Sequence, residues 1–475
     1  MKTETQQSNH LRRDSREVQP GDIFLAMPGL MVDGRQYIDR ALANGASKIY
    51  YEARASEQFK LPDTTIPLIP ITDLASQEGY IAADFYGHPA RQLAMIGVTG
   101  TNGKTSITHY LAQCLHDTAV VGTLGYGSLA HVQPTGFTTP QPAQLQHILR
   151  QLCDTGIKTV AMEVSSHALA LQRVNGIDFK IAIFSNLSHD HLDFHGDLQN
   201  YMYAKQKLFR WPSLQQAVIN IDDPMGKEFV NCCLPGCEVI TYSVTQAATI
   251  RATHIRAIAH GFECHLATPW GSAEATIPLL GRFNIENCLA VIGVLGSLGL
   301  SLSEIVDRLA AIKTPVGRMQ LYQKPGKPVV AVDFAHTPAA LEHVLTALRE
   351  HCHGKLYTIM GCGGDRDVTK RQPMGEIASR LSDYVVITND NPRHEAPESI
   401  AAMIRAGVAT DKLFAVILDR KAAIEQTIAT ANVNDLVLVA GKGHENYQLI
   451  GDQKLDFSDG VVVSEALNLE IQDKE

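Results

Sequence analysis

An apolar run at 93–98 (LAMIGV) leads straight into Thr99-Gly100-Thr101-Asn102-Gly103-Lys104-Thr105-Ser106, and apolar residues then recur at Ile107, Leu111 and Leu115. The run reads as a buried strand and the recurrence as one face of a helix, with a glycine loop between them. Strand, loop and helix N-terminus make a phosphate cradle: loop N–H groups and the positive end of the helix dipole face the anion, and glycine lets the backbone approach it. Lys104 is placed to reach the terminal phosphates of a nucleotide, and the Thr105 hydroxyl to ligate Mg²⁺. The spacing departs from G-x-x-x-x-G-K-[ST], which needs glycine at 98. Val98 stands there, and glycines occupy 97 and 100. Because Gly-Lys-Thr also occurs in ordinary turns, the rest of the chain has to supply the context.

A chain of 475 residues is too long for one core and suggests about three domains of roughly 150 residues each. Strand and helix signals alternate along it, which predicts an α/β protein: a small N-terminal α/β domain over 1–88, a central doubly wound sheet with the phosphate loop over 89–318, and a Rossmann-like domain over 319–475. No apolar run reaches the roughly 18 residues of a membrane span. The polar start MKTETQQSNHLRRDSR lacks the apolar centre of a signal peptide, so a cytoplasmic location without a membrane partner is expected. A net charge of −9 with no basic block argues against a nucleic-acid partner. Nine cysteines are scattered, and the cluster Cys232, Cys233, Cys237 lacks the second pair that a zinc site needs.

In the first domain, Pro20-Gly21-Asp22 precedes an apolar strand at 23–27, Asp33-Gly34 opens a helix over 37–44, and 48–51 is another strand. Ser15 and Arg16 read either as an anion contact or as a turn cap. His88-Pro89 marks the boundary before the phosphate-loop strand. In the second domain, 158–164 and 180–184 are near-continuous apolar strands of the buried parallel type. Their ends carry Glu163, Ser165, Ser166 and His167, then Asn186, His189, Asp190, His191 and Asp193. Ligands sit beyond the carboxyl ends of such strands, so the two clusters predict an active-site floor rather than a helix cap and a solvated loop. Glu163 and His191 are candidate Mg²⁺ ligands, direct or through water. Residues 197–211 read as one helix carrying Lys205 and Lys207, on which Lys205 would be a surface lysine. Another helix begins at Gly281-Arg282-Phe283-Asn284, with Asn287 three residues on; its amides suit either an adenine edge or helix capping.

Four strands of the third domain end in polar tips: 329–333 at Asp333 before His336 and Thr337-Pro338, 355–360 at GCGGDRD with Arg366, 384–388 at Asn389-Asp390-Asn391-Pro392-Arg393, and 436–440 at Gly441-Lys442-Gly443-His444-Glu445. Each tip alone reads as a turn or a surface ion pair. Together they fit a pocket for a zwitterion, with guanidinium groups clamping carboxylates and Glu445 accepting an ammonium.

Seven motifs stand in one order: GVTGTNGKTS at 97–106, EVSSHAL at 163–169, SNLSHDHLDFHG at 185–196, YMYAK at 201–205, VDFAHTP at 332–338, NDNPRHE at 389–395 and AGKGHE at 440–445. In sequence and spacing the chain resembles the Mur ligase family over essentially its whole length, in the UDP-N-acetylmuramoyl-tripeptide synthetase (MurE) type. The resemblance implies one domain for the UDP end of the substrate, one for ATP, and a mobile one for the incoming amino acid. It implies that Gly100, Thr101, Asn102, Gly103, Lys104, Thr105 and Ser106 hold ATP phosphates, with Asn287, Arg318 and Asp333 at adenine, phosphate and ribose. Thr105, Glu163, His191 and Lys205 would serve Mg²⁺, Lys205 as a carbamate whose oxygens suit a hard cation where an ammonium does not. Ser15, Thr138, Thr139, Ser165, Gln172 and Arg173 match contacts to UDP-MurNAc-L-Ala-D-Glu. The chain departs from the family's common pattern at Leu171, at Phe137 and in the stretch Gly29-Leu30-Met31.

The DNPR form is similar to members that add meso-diaminopimelate, for which Arg366, Asp390, Asn391, Pro392, Arg393, Gly441 and Glu445 are the candidate contacts. Lysine lacks the second carboxylate and would leave the Arg366 and Arg393 guanidinium groups unpaired, a loss of about 2–3 kcal/mol. The implied reaction is ATP-dependent amide formation through an acyl phosphate in peptidoglycan precursor synthesis, by a monomer whose domains close over a shared cleft. Two rivals remain: a folylpolyglutamate-synthetase-like ligase, and an NTP-driven switch or transport protein. No residue stands out as base for the incoming amine.

Overall fold

Residues 9–29, 32–188, 190–258 and 260–469 are described by a computed structural model, without the side chains of Leu192 and Asp193. Leu30, Met31 and His189 lie outside the described residues. The chain divides by internal contacts into two units, Met1–Thr241 and Tyr242–Glu475.

The first unit holds two sheets. Its N-terminal sheet is four parallel strands in the order Leu11–Arg12, Ile23–Ala26, Lys48–Glu52, Leu68–Ile71. The expected helix after Asp33-Gly34 is a 3₁₀ turn, Gly34–Tyr37, followed by Ile38–Ala43. The Asp33 carboxylate caps it by accepting from Arg35 N. The helix Leu74–Phe85 is started from outside: the Glu52 carboxylate accepts from Asp73 N at 3.1 Å and Leu74 N at 2.8 Å.

The larger sheet of this unit runs Gln216–Asn220, Phe179–Phe184, Ala94–Thr99, Thr159–Glu163, Thr118–Gly122, Gly125–Gly127, parallel except for the last strand. These strands are apolar on both faces because helices cover both. The core includes Met95, Val121, Met162, Phe179 and Phe184, each close to fully buried; such side chains contribute about 1.5–3 kcal/mol apiece. In register, Val98 faces Glu163 and Thr99 faces Phe184, so three strand ends meet beside the glycine loop. The helix after the loop is Lys104–Cys114, and Leu115 is its extended C-cap.

The spacing predicts one helix over 197–211. The structure ends it at Gln206, continues as a 3₁₀ turn Lys207–Arg210, and leaves Trp211 extended with its indole N–H donating to Ile177 O at 2.7 Å. Tyr201, Met202, Ala204 and Lys205 form its buried face. Lys205 is therefore not the surface lysine that local sequence implies: it is 1% exposed.

In the second unit, Ile250–Ile258, Gly261–Thr268 and Gly271–Ile277 form an antiparallel meander. This corrects the expectation that strand and helix alternate throughout 89–318. Phe262, Cys264 and Leu266 are buried at alternate positions, the signature of a sheet covered on one face. The long helix Arg282–Ser297 is buried over most of its length.

The C-terminal sheet runs Gln320–Tyr322, Val329–Asp333, Leu436–Ala440, Leu356–Met360, Tyr384–Ile387, Leu413–Val416, parallel except for the first. The strand 436–440 inserts between 329–333 and 356–360, a crossover that opens a crevice at the strand tips. No helix among the described residues is long and apolar enough to cross a membrane.

Candidate active site

Gly100 has φ +153° and Gly103 +86°. A Cβ at Gly100 would lie 1.9 Å from Ser185 Oγ, so a side chain there would hold the neighbouring strand end away from the loop. With glycine, Ser185 Oγ donates to Asn102 O at 2.6 Å, while Thr101 N and Asn102 N donate to Asn186 O and Oδ1, both at 2.9 Å. Ser188 N donates to Thr101 Oγ1 at 2.9 Å. The SNLS segment thus shapes the phosphate loop. Lys104 folds back across it, donating to Gly100 O at 2.9 Å and Thr101 O at 2.8 Å. Ser106 sits half-buried in the first turn of the helix.

Glu163, 1% exposed, is the hub of the floor. Its Oε1 accepts from Thr105 Oγ1 at 2.9 Å and Thr123 N at 2.8 Å, and Oε2 from Thr123 Oγ1 at 3.1 Å. Thr123 Oγ1 also lies 3.1 Å from Thr138 Oγ1. Thr139 Oγ1 lies 2.9 Å from Glu163 O and 3.3 Å from Ser165 Oγ. Ser165 in turn caps the helix Ser166–Ala170. Residues expected at the metal and at the muramoyl substrate therefore share one network. Thr123 and Gly122, which leaves room for the Glu163 carboxylate, carry no sequence signal.

Lys205 Nζ donates to Gly100 O at 2.9 Å, the carbonyl that Lys104 also uses. Burial, then the Lys104 ammonium, push the Lys205 amine well below the ordinary lysine range, against a weaker pull from Asp190. The ring of Tyr201 lies 4.5 Å from Nζ, and its hydroxyl, 3.2 Å from Thr101 Oγ1, is pushed up to about 12 by burial. His191 is exposed, with φ +53°; its Nε2 is 3.5 Å from Asp190 Oδ2 and its ring 4.8 Å from that of His167. Among the described residues no three His, Cys, Asp or Glu side chains gather as a metal set.

Arg173 is half-buried, 5.7 Å from the ring of Phe137, and Gln172 is exposed at φ +56° beside it. Phe137 and Leu171, the departures from the family pattern, are 47% and 44% exposed and so fill no core. Ser15 is buried, and its carbonyl accepts from Asn44 Nδ2 at 2.8 Å; among the described residues no hydrogen bond links it to Thr138, Thr139 or Ser165. Arg16 pairs with Asp14, which favours the turn reading. Arg13 escapes sequence reasoning altogether: it donates to Gln141 Oε1 at 2.6 Å and lies 3.7 Å from the buried Glu78.

In the second unit, Asn287 Nδ2 donates to Asn284 Oδ1 at 3.1 Å and Asn284 Nδ2 to Leu280 O at 2.8 Å. The helix is capped by Gly281 without a side-chain bond, so Asn284 anchors the entry by donating and does not cap it. Asp333 is buried, which raises its carboxyl above the usual range; its oxygens accept from Met319 N at 2.7 Å and Ala335 N at 2.8 Å. The Arg318 guanidinium lies 5.2 Å from the Phe334 ring, and its buried Nε has no hydrogen-bond partner.

The third-domain tips meet. Arg393, at φ +51°, donates from Nη1 to Gly364 O at 2.8 Å. A Cβ on Gly363 would lie 2.9 Å from that Nη1 and 3.6 Å from Arg366 Cγ, so the two arginines flank one glycine. Arg366 is exposed, without an ion-pair partner among the described residues. The Pro392 carbonyl closes a turn onto Glu395 N, and Gly441 N donates to Asp333 O at 3.0 Å. Asn391 Nδ2 donates to Glu445 Oε2 at 2.9 Å. Asp390 is buried, which raises its carboxyl, while Arg420 and Lys442 pull it down.

Arg420, also fully buried, has no local sequence signal. It forks onto Asp459 at 2.7 and 2.8 Å and donates to Asn389 O and Ala440 O at 3.1 and 2.9 Å, tying two tips together. Arg371 likewise holds Glu395 and Gly363 O.

Three family models match in turn: "Mur ligase family, catalytic domain" over 9–86, "Mur ligase middle domain" over 98–295, and "Mur ligase, glutamate ligase domain" over 317–443. Two curated relatives carry the name UDP-N-acetylmuramoyl-L-alanyl-D-glutamate--2,6-diaminopimelate ligase. The one from Coxiella burnetii is 45% identical, covering 96% of this chain and 95% of the relative; the one from Pseudomonas aeruginosa is 47% identical, covering 94% and 93%. A solved structure of a ligase with the same name superposes with a TM-score of 0.74 at 34% identity, over 97% of this chain and 94% of that one. With three of its domain models matching in succession and curated relatives at 45–47% identity over nearly the whole length, the chain belongs to the Mur ligase family.

Proposed function

We propose that this chain is an ATP-dependent amide-forming ligase that adds meso-diaminopimelate to the D-glutamate γ-carboxylate of UDP-MurNAc-L-Ala-D-Glu, in peptidoglycan precursor synthesis. The observation that carries the amino-acid choice is the Arg393–Arg366 pair flanking Gly363, next to the tip where Asn391 and Glu445 meet. Two guanidinium groups suit a second carboxylate, and Glu445 suits an ammonium. The names of the relatives support the same substrate.

In this reading residues 1–88 hold the UDP end, 89–318 the ATP phosphates, and 319–475 the amino acid. The γ-phosphoryl group of ATP passes to the γ-carboxylate and ADP departs. The diaminopimelate amine attacks the acyl phosphate, and the tetrahedral adduct loses phosphate and a proton. Loop N–H groups from Gly100 to Ser106 cradle the phosphates, and the Lys104 ammonium swings from its loop carbonyls to the transferring group. Asn287, Arg318 and Asp333 serve the nucleoside end, and the unpartnered Arg318 Nε supports an anion there. Ser15, Thr138, Thr139, Ser165, Gln172 and Arg173 serve the muramoyl peptide.

The donor set fits Mg²⁺: Thr105 and Glu163 bring two hard oxygens within 2.9 Å of each other, and substrate phosphates and water complete such a shell. His191 and Lys205, as a carbamate, are the further ligands of this reading. Mg²⁺, when bound, supplies charge stabilisation to the phosphoryl oxygens. Burial lowers the pKa of the Lys205 amine, and the uncharged amine is the form that adds CO₂, which supports carbamylation of Lys205. The reading places the protein in the cytoplasm as a monomer.

The test is phosphate release from ATP with UDP-MurNAc-L-Ala-D-Glu, comparing meso-diaminopimelate, L-lysine and L-glutamate. Release that requires both the muramoyl dipeptide and meso-diaminopimelate is expected. Preference for glutamate would support the folylpolyglutamate rival, and turnover indifferent to the dipeptide would support the NTP-driven switch.

A further inference from the structure

Lys442 is 0% exposed, an unusual place for an ammonium, and none of the roles above uses it. Its Nζ donates to Asn391 Oδ1 and to Glu445 Oε2, both at 3.0 Å, and lies 3.6 Å from Asp390 Oδ1. The Tyr447 ring is 5.5 Å away. Lys442 therefore touches Asp390 and Asn391 on the DNPR tip and Glu445 on the GKGHE tip, without itself reaching solvent.

Two consequences follow from hydrogen-bond direction. Asn391 Oδ1 accepts from Lys442 Nζ and from Leu449 N at 3.0 Å, so its amide can point only its Nδ2 donor toward Glu445. Lys442 Nζ and Asn391 Nδ2 both end on Glu445 Oε2, while Oε1 makes no hydrogen bond among the described residues and the side chain is 21% exposed. The carboxylate is pinned by one oxygen and presents the other.

We propose that Lys442 is a positioning residue for the amino-acid substrate: it fixes the Asn391 amide and pins Glu445 through Oε2, so that Oε1 is held ready for the incoming ammonium. Its buried positive charge also keeps Asp390 and Glu445 compatible at close range, which two desolvated carboxylates without a counter-cation are not. A preset acceptor spares the substrate the work of ordering it, and the benefit falls on amino-acid affinity. The inference rests on the reading of Glu445 as the ammonium acceptor.

Steady-state phosphate release separates the two. If the parent protein gives no turnover with meso-diaminopimelate, the substrate reading fails before any variant is made, and the Lys442 test is run on whichever amino acid is turned over. Lys442→Met is expected to raise KM for the amino acid at least 10-fold while KM for ATP and for the muramoyl dipeptide stays within twofold. In a Glu445→Gln background the same substitution is expected to add less than a further twofold, because Lys442 acts through Glu445. Lys442→Gln, which keeps a donor but not the charge, is expected to fall between. Equal increases in all three KM values, or full additivity with Glu445→Gln, would overturn the proposal. If neither Lys442 variant folds, as judged by near-UV circular dichroism, Lys442 belongs to the scaffold and the proposal fails.

Discussion

Gly122→Ala tests the Glu163 hub without touching a charge. An added Cβ would lie 2.3 Å from Glu163 Oε1 and 2.8 Å from Cδ. Ordinary contact begins near 3.4 Å, so the carboxylate has to retreat by about 1 Å. Oε1 is the atom that accepts from Thr105 Oγ1 and Thr123 N, and Glu163 is buried, so retreat breaks at least one bond to a charged acceptor. One such bond is worth about 1.5–3 kcal/mol. The expected fall in stability is therefore a Tm lowered by roughly 3–12 °C in a unit of this size. If the Thr105–Glu163 pair holds the metal, the same displacement lowers kcat by roughly 10- to 150-fold and raises the Mg²⁺ concentration needed for half-maximal rate. Phosphate release is measured against Mg²⁺ concentration, with melting followed in parallel. A variant that is folded, within twofold of the parent in kcat and unchanged in Mg²⁺ dependence would refute the assignment of Glu163 and Thr105 to the metal.

Arg393→Lys removes the planar fork at the DNPR tip, and KM for meso-diaminopimelate should rise by roughly 10- to 150-fold with KM for ATP unchanged; equal losses on both would count against the assignment, and initial rates decide. Lys205→Ala should abolish turnover with no rescue by bicarbonate. In the parent, bicarbonate should raise Tm, because CO₂ captures the folded-state amine and not the solvated one. The sign with pH follows from the lowered folded-state pKa: uncharged Lys205 is favoured in the fold, so its contribution to stability grows as pH rises from below the folded value toward the ordinary lysine value of 10.5. Calorimetry of parent and Lys205→Ala across that window checks it. Arg420→Met strands Asp459 in the core and frees two strand-tip carbonyls, for a loss of about 3–5 kcal/mol; denaturant midpoints measure it, and a loss below 1 kcal/mol would contradict the described burial.

Much of the floor was legible because its signals are local. The 93–105 strand and loop, the polar ends of 159–163 and 179–184, and the tips at 389–393 and 441–445 all lie where apolar runs stop, and runs and stops are properties of neighbouring residues. The antiparallel meander has a local signal too, since Phe262, Cys264 and Leu266 alternate with Glu263 and His265, a period of two that marks a half-buried strand and not the doubly wound pattern expected over 89–318. Local pattern alone makes Lys205 a surface lysine, because a lysine on a helix shows the same neighbours whether it faces water or the core. Its partner, the Gly100 carbonyl, is 105 residues away.

Chain order and residue type are enough to specify which groups this protein carries: a phosphate loop, carboxylates at strand ends, and arginines at strand tips. Folding alone sets the state of those groups. Thr105 meets Glu163 across 58 residues and Arg420 meets Asp459 across 39, and no preference of φ, ψ or hydrophobic period extends so far. Whether a lysine is charged, which oxygen of a carboxylate is spoken for, and whether an alanine at 122 fits are questions of desolvation and packing. Those depend on atoms brought close in space, and they have no value until the sheets have formed.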